Sequence, residues 1–378
     1  MLVSLTNAPR DYAWGSRTLL ASLEGREAAL GPEAEVWFGD HPSDPADLRD
    51  GTGRTLDALL AERGSGRLPY LLKLLAAAKP LSIQVHPTKS QAEEGFAREA
   101  SLAPGLVRNY ADDNHKPEMI VALSDRFTAM CGLREIAATR RLLDALGPAA
   151  APLAERISDE ESLAGAVRWL LSGEAQELVD GVVEALDTAR STEFAAELSN
   201  ARSIAAVFPG DPGIVVALLM NLVVLRRGEA LFLGAGQLHS YQEGLGVEIM
   251  AASDNVLRGG LTPKHIDVDE LMRILDPHAG PVPVVLPRVF EGEGGGFEEY
   301  PAAARDFQLL RARLDGTSEA SFSPAGPAIV LAVDGAPTVT AGGVSVPLTA
   351  GGAAFVSEDE ARVSVSGRGE VFVAQPGS

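Results

Sequence analysis

In Ser82-Ile83-Gln84-Val85-His86-Pro87, two polar side chains stand two residues apart within an otherwise apolar run. On an extended strand side chains repeat every second residue, so Gln84 and His86 face the same way. Burying both is costly unless something replaces their lost solvation. A small β barrel aims neighbouring strand residues at one point in this manner. Two kinds of partner meet the requirement. One is a divalent metal, since imidazole suits zinc and a carboxylate supplies negative charge. Glu118, in His115-Lys116-Pro117-Glu118, is such a carboxylate. The other is backbone, with His86 a hydrogen-bonded core histidine beside a buried amide.

A second region extends the pattern. Gly228 to Tyr241 reads as a strand, a glycine-rich turn and a second strand carrying His239. It is followed by Val247 to Lys264, which contains Glu248, Arg258 and the pair Gly259-Gly260. The segments SIQVHP, YADDNHKPEM and SDNVLRGGLTPKHID, together with Tyr12-Ala13-Trp14-Gly15-Ser16, resemble the type I phosphomannose isomerases. The resemblance covers residues 1–125 and 205–275 well and the rest loosely. It implies a zinc enzyme on a cupin scaffold that interconverts mannose 6-phosphate and fructose 6-phosphate.

Composition sets outer bounds. With 378 residues the chain exceeds one ordinary core and predicts two or three domains. A net charge of -20 opposes binding to nucleic acid or to an anionic membrane. It still permits a phosphorylated substrate, because local Lys and Arg can make a positive pocket. The single cysteine, Cys131, rules out an intrachain disulfide framework and reads as a small buried hydrophobe. The N-terminus lacks a basic flank followed by an apolar core, and the apolar run from Gly213 to Leu225 is too short to span a bilayer. A cytoplasmic monomer acting on a small sugar phosphate is expected.

Strand and helix textures divide the chain. Leu68 to Ala78 is an apolar run broken by Lys73, which faces either solvent or the site. Ser90 to Ala100 predicts a helix capped by Ser90, and Met119 to Leu123 a strand. Between 134 and 222, leucines and valines recur at three-to-four spacing, with helix starts near Arg134, Ser158, Ser172 and Ser191. Pro212 to Leu225 predicts one further helix, opened by Asp211-Pro212. Leu286 to Tyr300 reads as a flexible acidic connector, and 306–378 as short strands with glycine-rich turns. The expected architecture is mainly β with an inserted α-helical domain, built on two cupin-like jelly-roll barrels. A metal-binding domain takes 1–133 and 223–300, a helical insertion 134–222, and a C-terminal β domain without metal ligands 301–378.

By the resemblance, one zinc ion per chain is held by Gln84, His86, Glu118 and His239. An amide, two imidazoles and one carboxylate leave the site with net positive charge and room for a substrate oxygen, as a catalytic zinc site requires. Arg258 corresponds to the family's catalytic arginine; an ion pair with Asp254 is its structural alternative. Glu248 and Lys116 resemble further catalytic groups, and Ser82, Lys73 and Lys264 line the substrate site by the same resemblance. The proton-shuttling base is not identified by these motifs; Glu248, His115, Lys116 and a metal-bound water are the candidates. His41 and His278, each beside a proline, are expected on surface loops. The rival readings are a non-catalytic sugar-binding cupin and another metal-dependent cupin enzyme. An iron oxygenase site would need two histidines and a carboxylate, which Gln84 as a fourth ligand fits less well.

Overall fold

The structure, a computed structural model, describes residues 1–103 and 105–377. Seven strands come first: β1 (Leu2–Thr6), β2 (Glu35–Phe38), β3 (Asp47–Leu48), β4 (Tyr70–Ala77), β5 (Gln84–Val85), β6 (Glu118–Ala122) and β7 (Phe127–Leu133). A helical run from Ile136 to Leu219 intervenes before β8 (Met220–Leu225), β9 (Ala230–Leu233), β10 (His239–Ala251) and β11 (Leu257–Arg258). β8 pairs antiparallel with β7, so the chain leaves and re-enters one sheet on neighbouring strands. That sheet runs β11-β5-β10-β4-β2, with β6 joining β10 to β9 and β7 joining β10 to β8.

β4 has the sequence YLLKLLAA because both of its faces are covered. Leu72, Leu74 and Ala76 pack in one core with Leu309, Ile329, Leu331, Phe355 and Phe372. Leu75 and Ala77 belong to another, with Ile120, Phe127, Leu231 and Tyr241. Each fully buried leucine contributes about 1.5–3 kcal/mol, so neither face tolerates water. Lys73 shares its face with Leu75 and is therefore buried, which settles its direction against solvent.

β10 is the organising strand. Its first residues pair with β5 and β7; from Gly244 it pairs with β4, and from Gly246 also with β6. The register against β7 shifts between Tyr241 and Glu243. A bulge adds one residue and exchanges the inward and outward sets. His239 and Glu248 have opposite parity along the chain, yet both turn into the interior that contains Glu118.

The remaining strands form two sheets. Eight strands run Arg288–Val289, Glu298–Tyr300, Gln308–Asp315, Arg368–Gln375, Ala328–Gly335, Ala353–Val356, β1 and β3. Five run Gly294–Gly295, Ala320–Phe322, Val363–Ser366, Thr338–Ala341 and Val344–Pro347. Here strand partnership departs from the expected division, because β1 and β3 join the sheet of C-terminal strands rather than that of the metal-site strands. β1 is apolar on both faces: Leu2 enters the core between these two sheets, while Val3 and Leu5 enter the core against β4.

Three local expectations are corrected. The helix predicted from Ser90 is Lys89–Glu99, capped by Thr88: Gln91 N donates to Thr88 Oγ1 at 3.2 Å and Thr88 N donates back to Gln91 Oε1 at 2.9 Å. The helix predicted over Pro212 to Leu225 ends at Leu219, and Met220–Leu225 is strand β8. A continuous apolar run carries no period, so pairing with β7 decides where the conformation changes. The stretch from Leu286 to Tyr300, read as a connector, contributes three short strands. Elsewhere the predicted helix starts near Arg134 and Ser158 fall within two residues of Ile136 and Glu160, where Glu135 and Asp159 accept from backbone N–H groups. No helix among the described residues is long and apolar enough to cross a membrane.

Candidate metal centre and active-site cleft

Three of the four residues read as metal ligands meet in the interior. One ligand atom each from His86, Glu118 and His239 lies within 4.8 Å of the other two, and all three residues are buried. His86 Nε2 is 3.2 Å from Glu118 Oε1, and His239 Nε2 is 3.5 Å from Glu118 Oε2. The other ring nitrogens are already engaged: His86 Nδ1 donates to Asn255 O at 2.7 Å and His239 Nδ1 donates to Gln237 O at 2.9 Å. Those bonds fix both tautomers and leave the Nε2 lone pairs aimed at a carboxylate. Lone pairs facing a carboxylate repel, and His86 Nε2 is a buried nitrogen with no hydrogen-bond partner among the described residues. The donor set therefore fits a divalent cation. Burial holds the His86 pKa down, to about 4, so the ring is neutral and able to ligate near pH 7.

Gln84, the fourth residue read as a ligand, lies on β5 beside this group. It is directly opposite His239 on β10 and Arg258 on β11. Its Nε2 donates to Ser82 Oγ at 3.2 Å, leaving the amide oxygen as the remaining donor atom. Glu118 is pulled strongly to the ionised form. Burial alone would raise its pKa, but the Lys116 ammonium, with Nζ 3.0 Å from Oε1, outweighs burial.

A cleft of about 690 Å³ adjoins this centre. Tyr12, Trp14 and Trp37 give it an aromatic wall, and Lys73, Lys79, Lys116, Arg258 and Lys264 line it against only two carboxylates, Glu35 and Asp254. In a chain of charge -20 that is a local reversal of sign. Lys73 Nζ lies 3.3 Å from Glu248, its direct cross-strand partner, and 3.8 Å from Glu35. Burial would lower the Lys73 pKa, yet these carboxylates and Glu118 hold it above the usual lysine range. Glu248 sits behind Lys73 rather than on the cleft wall. Burial raises its pKa, Lys73 works against that rise, and Glu118 and Glu35 add to it.

Arg258 is half-buried and lines the cleft, and burial lowers its pKa. Among the described residues it has no carboxylate within ion-pairing distance. The alternative pairing with Asp254 is not formed; Asp254 instead accepts from His41 Nε2 at 3.1 Å. His41 is thus tied to the cleft rim, whereas His278 is exposed as expected. Lys264 stands exposed at the mouth. Glu35 and Trp37 were not singled out from sequence. Their alternation in Glu-Val-Trp-Phe is the signal that could have found them, since Trp37 Nε1 donates to Glu35 Oε2 at 2.7 Å on the inner face.

The loop after Arg258 is braced by the helical run. Thr262 N donates to Asp211 Oδ2 at 3.2 Å, and Gly213, the first residue of the helix Gly213–Leu219, abuts Gly260. Between them Leu261 has φ of 57°, the one positive value for a non-glycine among the described residues. A Cβ on Gly213 would lie 2.8 Å from Leu261 N and 2.9 Å from Gly260 Cα. Gly213→Ala should therefore destabilise the protein by about 1–2 kcal/mol, because overpacking of about 1–3 kcal/mol outweighs the gain of about 0.5–1 kcal/mol in helix propensity. A rise in the denaturation midpoint would contradict this packing.

Residues 2–136 match the family described as phosphomannose isomerase type I, catalytic domain. The chain is 36% identical to the mannose-6-phosphate isomerase of Escherichia coli (strain K12), with 97% of each protein covered. It is 32% identical to that of Homo sapiens, covering 94% of this chain and 93% of the relative. Among solved structures, a histidine-to-alanine variant of phosphomannose isomerase from Salmonella typhimurium superposes with a TM-score of 0.90 at 32% identity, both chains fully covered. A mannose 6-phosphate isomerase bound with zinc and yttrium superposes with a TM-score of 0.87 at 33% identity, again with full coverage of both.

Proposed function

The chain belongs to the type I phosphomannose isomerases, and we propose on that premise that its cleft interconverts mannose 6-phosphate and fructose 6-phosphate. The observation that carries this reading is the convergence of His86, Glu118 and His239 beside a cleft lined by five cationic side chains. We assign Gln84, His86, Glu118 and His239 to one divalent ion per chain, with zinc as the ion. Lewis-acid polarisation of the sugar's carbonyl and hydroxyl oxygens is the chemistry such an ion supplies.

Aldose–ketose isomerisation moves a proton between C1 and C2 through an enediol, so the protein must supply a base and stabilise an oxyanion. Glu248 is the proposed base, reaching the cleft through Lys73, which lines the wall and lies 3.3 Å from it. Its raised pKa brings a carboxylate closer to the working range of a proton shuttle, and Lys73 beside it returns charge balance when it ionises. Arg258 is free to meet the negative charge that develops on the enediolate oxygens. Lys116, fixed against Glu118, offers its remaining N–H groups to substrate. Ser82, Lys73 and Lys264 complete the substrate site, with Lys264 gripping the phosphate at the mouth through charge-assisted hydrogen bonds. The sheets are read as two cupin-type barrels, the first carrying the metal site and interrupted by the helical run, the second without ligands and completed by β1.

Lys264→Ala is expected to raise KM for mannose 6-phosphate by about tenfold while lowering kcat less, as loss of a charged hydrogen bond predicts. An unchanged KM would remove Lys264 from the phosphate site. The function itself is tested by a coupled assay of the purified protein on mannose 6-phosphate and glucose 6-phosphate side by side. Turnover of mannose 6-phosphate is the expected result. Turnover of glucose 6-phosphate alone would move the protein to another isomerase activity, and turnover of neither would favour a sugar-binding protein.

A further inference from the structure

Asn255 is wholly buried, and its side chain leaves no hydrogen-bonding capacity unused. Its Oδ1 accepts from Ala111 N at 2.8 Å and from Asp112 N at 3.3 Å. Its Nδ2 donates to Asp112 O and Asn114 O, both at 2.8 Å. Two N–H groups on one side and two carbonyls on the other admit only one orientation of the amide. The clamped turn, 111–114, runs directly into His115-Lys116-Pro117-Glu118. The backbone of the same residue does a second task, because Asn255 O is the acceptor that orients His86.

We propose that Asn255 is a positioning residue that holds the Glu118 segment and the His86 ring in register, so that both present donor atoms to one point. It touches neither substrate nor metal in this scheme and acts through His86 and Glu118. The inference rests on those two residues and His239 being the metal ligands. Its distinctive consequence is that the isosteric change Asn255→Asp is harmful. A carboxylate oxygen would replace Nδ2 opposite two carbonyl oxygens and beside Asp112 Oδ1, now 3.2 Å away, and the turn would be pushed off.

The test is cobalt binding to metal-free protein, measured by competition with a chelator and by the visible absorption of the bound ion. Wild type should bind about one ion per chain. Asn255→Asp should bind about 10–100-fold more weakly, the usual loss when a ligand's orienting partner is removed, with a shifted absorption envelope. Thermal unfolding with and without cobalt separates positioning from general destabilisation. Metal stabilises the folded state according to its affinity, so the cobalt-dependent rise in Tm should shrink in the variant. Equal affinity, an unchanged spectrum and an undiminished rise in Tm would overturn the proposal, even if the metal-free variant melts lower. Wild-type protein that binds no cobalt would overturn the ligand reading beneath it. If Asn255→Asp does not fold, Asp112→Asn, which weakens the same clamp from the other side, should show a smaller loss by the same measurements; wild-type affinity there would equally overturn the proposal.

Discussion

Arg258→Ala is expected to lower kcat by about 10²-fold or more while changing KM much less. Arg258 is held on β11 directly opposite Gln84, so its backbone is hydrogen-bonded to the short strand that carries this assigned ligand and runs directly into His86. Its guanidinium is half-buried, lines the cleft, and has no carboxylate neighbour among the described residues within ion-pairing distance. A charge kept so costs stability, and burial does lower its pKa, though a guanidinium remains protonated across the working range. Such a charge is of most use where negative charge develops during reaction. Arg258→Lys should recover only part of the loss, because a point charge on a flexible stem cannot reproduce the planar fork. Steady-state kinetics on mannose 6-phosphate decide the matter. A variant with wild-type kcat and a raised KM would make Arg258 a binding group and not a catalytic one.

His86→Ala and His239→Ala should each strip the metal. Elemental analysis of wild-type protein is expected to give about one divalent ion per chain, and the variants well under that after dialysis. The affinity loss should exceed the roughly 10–100-fold that follows removal of an outer hydrogen-bond partner, since a donor atom itself is gone. Activity should fall with metal content and return to wild type, but not to the variants, on adding zinc. His86 is the more damaging site to alter. Its ring is fully buried, so the alanine leaves both a cavity and an Asn255 carbonyl without its donor. Full metal content in both variants would sink the ligand assignment.

The candidate site residues were legible because they lie in motifs that resemble a family and are locally patterned. Gln84 and His86 alternate, Lys116 and Glu118 alternate, and His239 opens a strand after a glycine-rich turn. Side-chain direction follows from strand geometry within such short spans, so the structure brings His86, Glu118 and His239 together as their motifs imply. The helical run was legible for the same reason, its period being local. Helix ends were less so: Thr88, not Ser90, caps Lys89–Glu99, because either residue type can cap and the reciprocal bond to Gln91 selects between them.

Tertiary structure decided what no local pattern encodes. Whether Lys73 faced solvent or the site depended on both faces of β4 being covered, one by its own interior and one by strands more than two hundred residues away. That Glu248 shares an interior with His239 depended on a bulge in β10, and a bulge is set by register against β7 rather than by its own residues. The change from helix to strand at Met220 lies inside an apolar run with no period, where only pairing partners distinguish the two states. β1 joined the sheet of the C-terminal strands because its two apolar faces needed two cores, and the partners that provide them lie at the far end of the chain. Short-range periodicity thus determined which residues could act and roughly which elements bear them, whereas sheet register and two-sided burial, which depend on contacts distant in sequence, decided where those residues point.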